Sequence, residues 1–458
     1  MIPTRAGFFT VLLALLCAGA AACGGSDGGA AATEQLPEFC GQGPTALRPP
    51  PDGRPSYTMR LQIAPAAGPV TGNMEVAFTP DLDTDRLVFR LWPNGGTLRR
   101  AGARLDVHGV RVDDAAARTQ RPDPTTLVVP LTTPLVAGTP VTASLEFSLR
   151  VPRGAVDRIS ARGDELRLGS FYPILPWVAG NGWALDPPSS IPSETSTSPV
   201  ADYDVTITTP SQLQVVATGV EDTPGHWTAH AVRDFAVAAG AFDVARERAQ
   251  TPGDVDVTVA AAKGLAVDPH ELAGQVLADL EQMARVYGAY PWPTYTVAVV
   301  PDLEGEGIEY PGLSFLGDAA GPQVVAHETA HQWFYGLVGN NQAADPFLDE
   351  APTTWAAADV TGDLADWDSL PVPAVAGKQL AAPMTYWNRG SAQAYVLGVY
   401  AQGVQALNGL GSASGVRCAL RRYVEQNAYQ IARPGDLMAA LSDVYPGAAH
   451  RFVIYGVQ

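Results

Sequence analysis

The sequence predicts a multidomain protein, in which an N-terminal all-β sandwich or saddle over residues 51–250 precedes an α+β domain over residues 251–458. Two observations carry this prediction. Over residues 54–248, short alternating apolar runs are broken by Pro, Gly and Asp, which is typical of strands joined by turns. After a last strand near residues 251–263, apolar residues recur at helical spacing. With 458 residues, 46% of them hydrophobic, the chain is long enough to bury two cores.

The predicted strands of the first domain are runs of four to nine residues in which apolar and polar side chains alternate. They are 57–63, 72–78, 86–91, 126–129, 141–149, 203–208 and 214–218.

The second domain opens with a helix whose two ends are marked in the sequence. Asp268 has the position of an N-cap, Pro269 stands in the first turn, and Glu271 completes a capping-box pattern. Apolar residues then recur at helical spacing until Gly288. The spacing also predicts a strand at 294–300, a loop at 301–310, and helices at 323–337, 350–360, 392–407, 416–426 and 436–444.

The most informative motif is His327-Glu328-x-x-His331, which lies within the helix predicted at 323–337. Residues four apart share one face of a helix, so His327 and His331 can place two imidazole nitrogens on one metal ion, while Glu328 leans toward the ion from one step round. A third acid, Glu350, lies downstream. Two histidines and one carboxylate leave a coordination position open for water, as a catalytic zinc site requires.

This pattern resembles that of the gluzincin aminopeptidases, the zinc exopeptidases that include aminopeptidase N. Their metal pattern is His-Glu-x-x-His, eighteen intervening residues and then Glu, as found here. The resemblance implies a thermolysin-like zinc peptidase fold for residues 251–458, with one Zn²⁺ held by His327, His331 and Glu350. Glu328 would act as general base and then as general acid. The substrates would be peptides, from which N-terminal amino acids are removed.

A second match lies upstream, where Gly307-Ile308-Glu309-Tyr310-Pro311-Gly312-Leu313 resembles the family's Gly-x-Met-Glu-Asn segment. By resemblance, Glu309 binds the free α-amino group of the substrate, and residues 311–316 form the edge strand along which the peptide pairs. A carboxylate can hold an ammonium group by a charge-assisted hydrogen bond. Such an anchor would set the register, so that the first peptide bond reaches the metal.

The chain departs from the family pattern at two places. Glu306 stands where the family has the first Gly of the upstream segment. The family's Tyr-x-Lys-Gly stretch supplies a phenol that stabilises the oxyanion, whereas Tyr386-Trp387-Asn388-Arg389-Gly390 has its Tyr one place further from the Gly. Tyr386 is the candidate for this role. At about 100° of rotation per helical residue, the offset points its phenol elsewhere unless the turn before Gly390 is irregular.

Larger family members continue into a C-terminal helical domain, which this chain is expected to lack, leaving a more open site. Two other functions therefore stay open. One is a zinc endopeptidase on the same site, if Glu306 and the missing lid disable the amine pocket. The other is a catalytically weak peptide-binding surface lipoprotein, which the displaced tyrosine suggests and the intact Glu328 argues against.

The N-terminus predicts export. Residues 1–22 have the length and apolar run of a signal peptide. They end at Ala20-Ala21-Ala22-Cys23, which resembles a bacterial lipobox with Cys23 as the acylated residue. Residues 23–50 are then predicted to be a lipid-anchored tether on the outer face of a bacterial cell membrane, flexible over 24–35. A soluble secreted product is the alternative.

Cysteine content and charge agree with an exported enzyme. Beyond Cys17 and Cys23 only Cys40 and Cys418 are left, which either form a disulfide or remain two separate thiols. The formal net charge of −18 argues against nucleic-acid binding, which needs clustered positive charge. No protein partner is identifiable from the sequence.

Overall fold

The computed structural model describes residues 35–64, 68–155, 157–191, 193, 196–210 and 212–457. The predicted signal peptide, Cys23 and the tether up to residue 34 lie outside this part of the chain. None of the helices in the described part is both long and apolar enough to span a membrane.

The N-terminal region is rich in strands, as the alternating pattern predicts. Its strands are β1 (Ser56–Ile63), β2 (Val70–Phe78), β3 (Thr84–Arg90), β4 (Arg104–Val112), β5 (Ala115–Ala116), β6 (Gln120–Asp123), β7 (Thr126–Leu135), β8 (Val141–Arg150), β9 (Ile159–Arg162), β10 (Glu165–Leu168), β11 (Trp177–Val178), β12 (Gly182–Trp183), β13 (Ala201–Thr208), β14 (Gln214–Ala217), β15 (Val220–Thr223), β16 (His226–Val232) and β17 (Val237–Gly240). One short helix, α1 (Gly96–Ala101), interrupts them.

These strands form one large sheet and several small ones. The large sheet has the order β15-β16-β13-β1-β2-β8-β4-β5, a four-stranded sheet has the order β14-β17-β10-β9, and a three-stranded sheet has the order β3-β7-β6. In β1, β2 and β8 every second side chain is buried, so one face of the large sheet covers the core. Alternation along the sequence thus corresponds to alternation across the sheet.

The second region is built on a five-stranded sheet with the order β18-β19-β20-β22-β21. Its strands are β18 (Phe242–Ala249), β19 (Val255–Ala262), β20 (Thr294–Val299), β21 (Gly307–Tyr310) and β22 (Leu313–Leu316). Since β18 pairs with β19 along its whole length, it belongs to this sheet.

The helices follow the sheet in sequence. They are α2 (Pro269–Tyr287), α3 (Pro322–Ala330), α4 (Phe347–Thr361), α5 (Leu364–Ser369), α6 (Met384–Trp387), α7 (Ala392–Tyr395), α8 (Gln402–Asn408), α9 (Ala413–Asn427), α10 (Pro434–Val444) and α11 (Ala448–Phe452). A π-helical segment, Val396–Ala401, joins α7 to α8. Two short strands, β23 (Gly339–Asn340) and β24 (Ile431–Ala432), pair in parallel.

Helix α2 has the ends that the sequence predicts. The Asp268 carboxylate accepts a hydrogen bond from the His270 backbone N–H at 2.9 Å, which satisfies one of the open donors of the first turn. Gly288 ends the helix with a φ of 111°, a conformation that favours glycine. The apolar stripe of Val276, Leu280 and Met283 is buried, as expected for a core face.

The described residues before β1, which lie in the predicted tether 23–50, are held by contacts to the second region. Cys40 and Cys418 form a disulfide with a Cα–Cα distance of 5.3 Å, which joins this segment to α9. The Arg421 guanidinium donates to the carbonyl oxygens of Phe39 and Gln42 at 3.0 and 2.7 Å. Residues 36–50 therefore lie against the second region.

Candidate metal centre

Helix α3 carries His327 and Glu328 and ends one residue before His331. The sequence pattern predicts a helix as far as residue 337, but the chain turns sharply at Tyr335, whose φ is 117°. An L-residue cannot hold that angle within a right-handed helix. His331 keeps helical dihedrals, φ −58° and ψ −16°, so it still presents its ring on the same face as His327.

Three donor atoms converge at this face. The Nε2 atoms of His327 and His331 lie 3.0 Å apart. A Glu350 carboxylate oxygen, Oε2, lies 3.3 Å from the first and 3.6 Å from the second. All three residues are buried, and their donor atoms fall within the span of a single metal site. The structure therefore brings together the three predicted ligands.

Helix α4 supplies Glu350 and supports His331 as well. It begins at Phe347, three residues before the predicted start, so Glu350 lies in its first turn. Thr353, one turn further along the same helix, places its hydroxyl 3.2 Å from His331 Nδ1. One helix thus fixes both a ligand and the ring of a second ligand.

The other ring nitrogen of His331 points away from the metal face. His331 Nδ1 lies 3.0 Å from the carbonyl oxygen of Phe334 and 3.0 Å from an Asp349 carboxylate oxygen. The second Asp349 oxygen accepts a hydrogen bond from Gln342 at 2.6 Å. A histidine that ligates a metal through one nitrogen commonly donates its other N–H to a carbonyl or carboxylate. These contacts assign Nε2 to the metal.

The electrostatics fit a divalent cation. Burial lowers the pKa of His327 well below its usual value, which keeps its ring neutral, the form that binds metals. Burial opposes protonation of His331 too, but Glu309, Asp349 and Glu350 outweigh it and raise the pKa of that ring well above its usual value. Several carboxylates around two imidazoles are a donor set suited to zinc.

Glu328 is buried beside the ligands and packs closely against strand β21. A Cβ atom added at Gly307 would lie 2.4 Å from Glu328 Cγ and Oε1. Only glycine at this position lets the carboxylate lie over the strand, because any larger side chain would displace it. The Gly307 of the upstream motif therefore has a steric role in placing the predicted general base.

Glu309 lies on a strand rather than in the predicted loop 301–310, and it is buried. Strand β21 pairs with β22 on one side only, with Glu309 opposite Ser314. The edge of the sheet is therefore β21, whereas the predicted edge strand at 311–316 corresponds to β22, which is covered on both sides. Carboxylate oxygens of Glu309 and Asp349 and a ring nitrogen of His331 all lie within 4.8 Å of one another.

The departure at Glu306 lies in a tight turn just before β21. Its backbone N–H donates to the carbonyl oxygen of Leu303 at 2.9 Å, and its own carbonyl accepts from Gly317 at 2.9 Å. The side chain is buried, with 8% exposed. The turn therefore holds β21 in place through its main chain.

Tyr386 does not reach this cluster. Its hydroxyl donates to the carbonyl oxygen of Val375 at 2.5 Å, and its ring contacts Trp387. Within the part of the chain that the structure describes, Tyr386 makes no contact with the three candidate ligands. The reason is the one-place offset: the short helix α6 points this phenol away from the metal face.

Tyr400 occupies the place that the sequence pattern assigns to Tyr386. Its ring stacks on the His327 imidazole with centroids 5.7 Å apart and planes 8° from parallel, and its phenol forms a hydrogen bond with Glu350. Burial, reinforced by the charges of Glu350 and Glu309, raises the pKa of Tyr400 well above its usual value. The phenol therefore keeps its proton and can donate it in a hydrogen bond.

A signal for Tyr400 was present in the sequence. Tyr400-Ala-Gln-Gly403 places Tyr three residues before Gly, the spacing of Tyr-x-Lys-Gly, with Gln instead of Lys. The structure shows why Gly is needed, since a Cβ atom on Gly403 would lie 2.3 Å from Ala351 Cβ, beside Glu350. The π-helical segment that holds Tyr400 is a further irregularity of a kind often found at functional sites.

The comparison with known families agrees with this site. Residues 272–453 match the model of the peptidase family M1 domain, and the matched stretch includes His327, Glu328, His331 and Glu350. These residues form a peptidase family M1 domain. Zinc is the metal that this family implies for the three converging donors.

Solved M1 structures share the fold over most of the chain. An M1 zinc metallopeptidase from Deinococcus radiodurans is 18% identical over 90% of this chain and 96% of its own, with a TM-score of 0.63. A mutant of the Deinococcus radiodurans protein bound to a Tyr-Ser-Ala substrate is 18% identical over 88% and 94%, with a TM-score of 0.63. A two-domain M1 zinc metallopeptidase mutant bound to L-tryptophan is 17% identical over 90% and 96%, with a TM-score of 0.64. The predicted architecture, a strand-rich region followed by a mixed α and β peptidase domain, is confirmed.

Proposed function

We propose that this chain is a zinc aminopeptidase, which removes the N-terminal residue from peptides. The observation that carries the proposal is the position of Glu309, buried on the edge strand β21 within 4.8 Å of a ring nitrogen of the ligand His331. A carboxylate at this place holds a cationic group next to the metal, and the cation that every unblocked peptide offers is its α-ammonium group.

The edge strand gives the substrate a direction. The open side of β21 presents backbone N–H and C=O groups that can pair with an extended peptide. Glu309 stops that peptide at its first residue through a charge-assisted hydrogen bond to the ammonium group. The first peptide bond then lies over the metal face, and longer overhangs on the N-terminal side are excluded.

The M1 domain's own residues supply the proton transfers and the charge stabilisation. When bound by His327, His331 and Glu350, zinc activates water and polarises the substrate carbonyl. Glu328, next to His327 on α3, accepts a proton from the attacking water and passes it to the leaving nitrogen. Tyr400 keeps its phenolic proton and donates a hydrogen bond to the oxygen on which negative charge develops. This role moves from the predicted Tyr386 to Tyr400.

A panel of amino-acid anilides, free and N-acetylated, tests this function directly. The purified chain lacking its first 23 residues is assayed beside Glu328→Gln and Glu309→Gln, with zinc content measured in each. We expect turnover of the free-amine substrates alone. Glu328→Gln should abolish it with zinc retained, and Glu309→Gln should lower kcat/KM for free amines by about 100-fold, corresponding to the loss of a charge-assisted bond.

Two outcomes would replace the aminopeptidase by the alternatives. Cleavage of internal bonds in N-acetylated peptides, unaffected by Glu309→Gln, would favour a zinc endopeptidase. A zinc-loaded wild type that turns over none of the substrates but still binds peptides would favour a peptide-binding protein.

We also propose that the protein is exported and anchored to the outer face of the cell membrane through a lipidated Cys23. The lipobox-like sequence supports this location, as does a disulfide of the kind that persists in oxidising compartments. Fractionation of cells that express wild type and Cys23→Ser tests it. The wild type should enter the membrane fraction and the variant should not, whereas wild type in the soluble fraction would favour the secreted form.

A further inference from the structure

Arg233 is a buried arginine that the strand-rich region inserts into the M1 domain. It lies between β16 and β17, and 2% of the residue is exposed. Its guanidinium donates to the carbonyl oxygens of Gly336 and Leu337, each at 3.1 Å, and to that of Gln430 at 3.0 Å. A fourth bond goes to Ser198 in its own region at 3.1 Å.

The hydrogen-bond partners of Arg233 are neutral carbonyl oxygens. Among the described residues, no carboxylate lies within ion-pair distance of this guanidinium. Burial lowers the pKa of Arg233 to about 10, so the side chain is still charged at neutral pH. Burying a charge is costly unless hydrogen bonds compensate it, so these carbonyls are what holds the guanidinium in place.

The carbonyls that Arg233 holds belong to the turn that follows the metal ligand His331. This 334–337 turn begins with Phe334, whose carbonyl oxygen lies 3.0 Å from His331 Nδ1. It closes with hydrogen bonds from Gly336 N to His331 O at 2.8 Å and from Leu337 N to Gln332 O at 3.0 Å. Arg233 thus donates hydrogen bonds to Gly336 and Leu337, the two residues whose N–H groups bond to His331 and Gln332 at the start of the turn.

The turn needs such support because its backbone is strained. Tyr335 has a φ of 117°, a conformation that is unfavourable for a non-glycine residue and persists only where the surroundings impose it. A relaxed Tyr335 would swing the neighbouring Phe334 carbonyl away from His331. Arg233 comes from the other side of the domain boundary, so the restraint on the turn originates outside the M1 domain.

The guanidinium also fits tightly against the chain beyond the turn. A Cβ atom added at Gly339 would lie 2.4 Å from the guanidinium carbon and from Nη1 of Arg233. A side chain at residue 339 would push the guanidinium out of its place. Gly339→Ala is therefore a second way to disturb the same contact without removing the charge.

We propose that Arg233 is a positioning residue for the zinc ligand His331. By fixing the 334–337 turn, it holds the Phe334 carbonyl against His331 Nδ1 and so aims His331 Nε2 at the metal. This inference rests on the metal site of the proposed function. It also makes the strand-rich region a part of the metal centre, although none of the three ligands comes from it.

The test compares two buried arginines that cross the same boundary. Arg233→Lys, in the full chain, removes the forked donors while keeping a positive charge. Arg167→Lys is the matched control, because Arg167 is also 2% exposed and donates to backbone carbonyls, including that of Pro301 at 2.6 Å, but does not touch the 334–337 turn. The readouts are the zinc dissociation constant, by chelator competition, and the visible spectrum of the cobalt(II) form, which reports ligand geometry.

We expect Arg233→Lys to weaken zinc binding by about 10–100-fold, the range seen when supporting contacts of metal ligands are lost, and to shift the cobalt spectrum. Arg167→Lys should leave both unchanged, even where the two variants lose similar thermal stability. Wild-type zinc affinity and spectrum in a folded Arg233→Lys would overturn the inference, and so would equal weakening in both variants.

Two further results are decisive as well. If Arg233→Lys does not fold, Gly339→Ala takes its place, and weakened zinc binding in that variant supports the inference while unchanged binding overturns it. If the wild type itself binds no zinc or cobalt, the metal site of the proposed function fails and this inference falls with it. A wild type that binds zinc beside an unaffected Arg233→Lys separates the two cases, because only the inference then fails.

Discussion

Tyr386 and Tyr400, fourteen residues apart, differ in their position relative to the metal face and in their hydrogen-bond partners. Tyr400 is buried, stacks on His327 and forms a hydrogen bond with Glu350. The Tyr386 hydroxyl instead donates a hydrogen bond to the backbone carbonyl of Val375. A phenol that stabilises a developing negative charge has to lie at the metal face with its proton retained. Only Tyr400 meets both conditions.

Replacing each tyrosine by phenylalanine removes only its hydroxyl, so the two variants show which hydroxyl contributes to turnover. Tyr400→Phe should lower kcat by about 100–1,000-fold with little change in KM, as expected when one donor to an oxyanion is lost. Tyr386→Phe should change kcat by less than about threefold and serves as the matched control. Equal losses in the two variants, measured by steady-state hydrolysis of a free-amine anilide, would contradict the assignment.

Local features at the residue scale were largely readable from the sequence. His327 and His331 are four residues apart, so their spacing alone fixes their common face. The sequence predicts a loop at Glu309, because a strand of only four residues is too short to show a periodic pattern of apolar side chains. The sequence does not single out Tyr400 for this role, because Tyr386 lies in a stretch that resembles the family motif more visibly. A π-helical segment also shifts the face that a regular helix would present.

Helix α2 shows, at the scale of one element, how a core face tolerates an acid. Asp279 is almost fully buried, with 2% exposed, and both of its oxygens lie 3.0 Å from the Gln275 side-chain amide. Burial raises the pKa of Asp279 to about 6. At neutral pH the helix therefore carries a buried charge that a single amide hydrogen bond donor only partly compensates.

Asp279→Asn should stabilise the protein above pH 6. The folded-state pKa of Asp279 lies above the ordinary value of 3.8 for an aspartate, so its stabilising contribution is complete below about pH 4 and is lost as the pH rises through about 6. Asparagine stays neutral and can still accept from Gln275, so the variant should gain about 1–3 kcal/mol in free energy of unfolding at pH 8. Denaturant unfolding at pH 8, 6 and 4 measures this. A gain that does not shrink toward pH 4 would contradict the explanation.

Element boundaries were less predictable than the elements themselves. The ends of α2 were correct because Asp268 and Gly288 act through the local backbone. The partner of strand β18 is not readable from its own residues, because its alternation is the same whichever sheet it joins, and its pairing with β19 is decided by tertiary contacts. Helix α3 is shorter than predicted, because the chain turns at Tyr335, where a residue other than glycine has a positive φ that the sequence does not signal.

For the whole molecule, the disulfide between Cys40 and Cys418 closes nearly the entire described chain into one loop, with a sequence separation of 378 residues. The sequence left open whether these cysteines pair, because two thiols so far apart give no local signal. Their pairing brings the start of the fold onto α9 and positions the segment 36–50 against the second region. Loops of this size lose much conformational freedom in the unfolded state when they are closed.

Removing this link should lower stability without changing the fold. The double variant Cys40→Ser, Cys418→Ser should lose about 2–5 kcal/mol in free energy of unfolding. Thermal unfolding with and without dithiothreitol provides the check. The reductant should lower the Tm of the wild type toward that of the double variant and leave the double variant unchanged. A wild-type Tm insensitive to reductant, with free thiols confirmed, would mean that the link contributes nothing.

The arginines at the domain boundary also limit how the strand-rich region can be exchanged for that of another protein. Arg233 and Arg167 donate to main-chain carbonyls of the M1 domain, at Gly336, Leu337, Gln430 and Pro301. Main-chain acceptors are present whatever side chains the turn carries, so the match depends on the arginines and on the path of the backbone. A chimera that takes its strand-rich region from a protein lacking these arginines would leave four carbonyls without their donors. Either region can therefore be exchanged only together with the arginine contacts that cross the boundary.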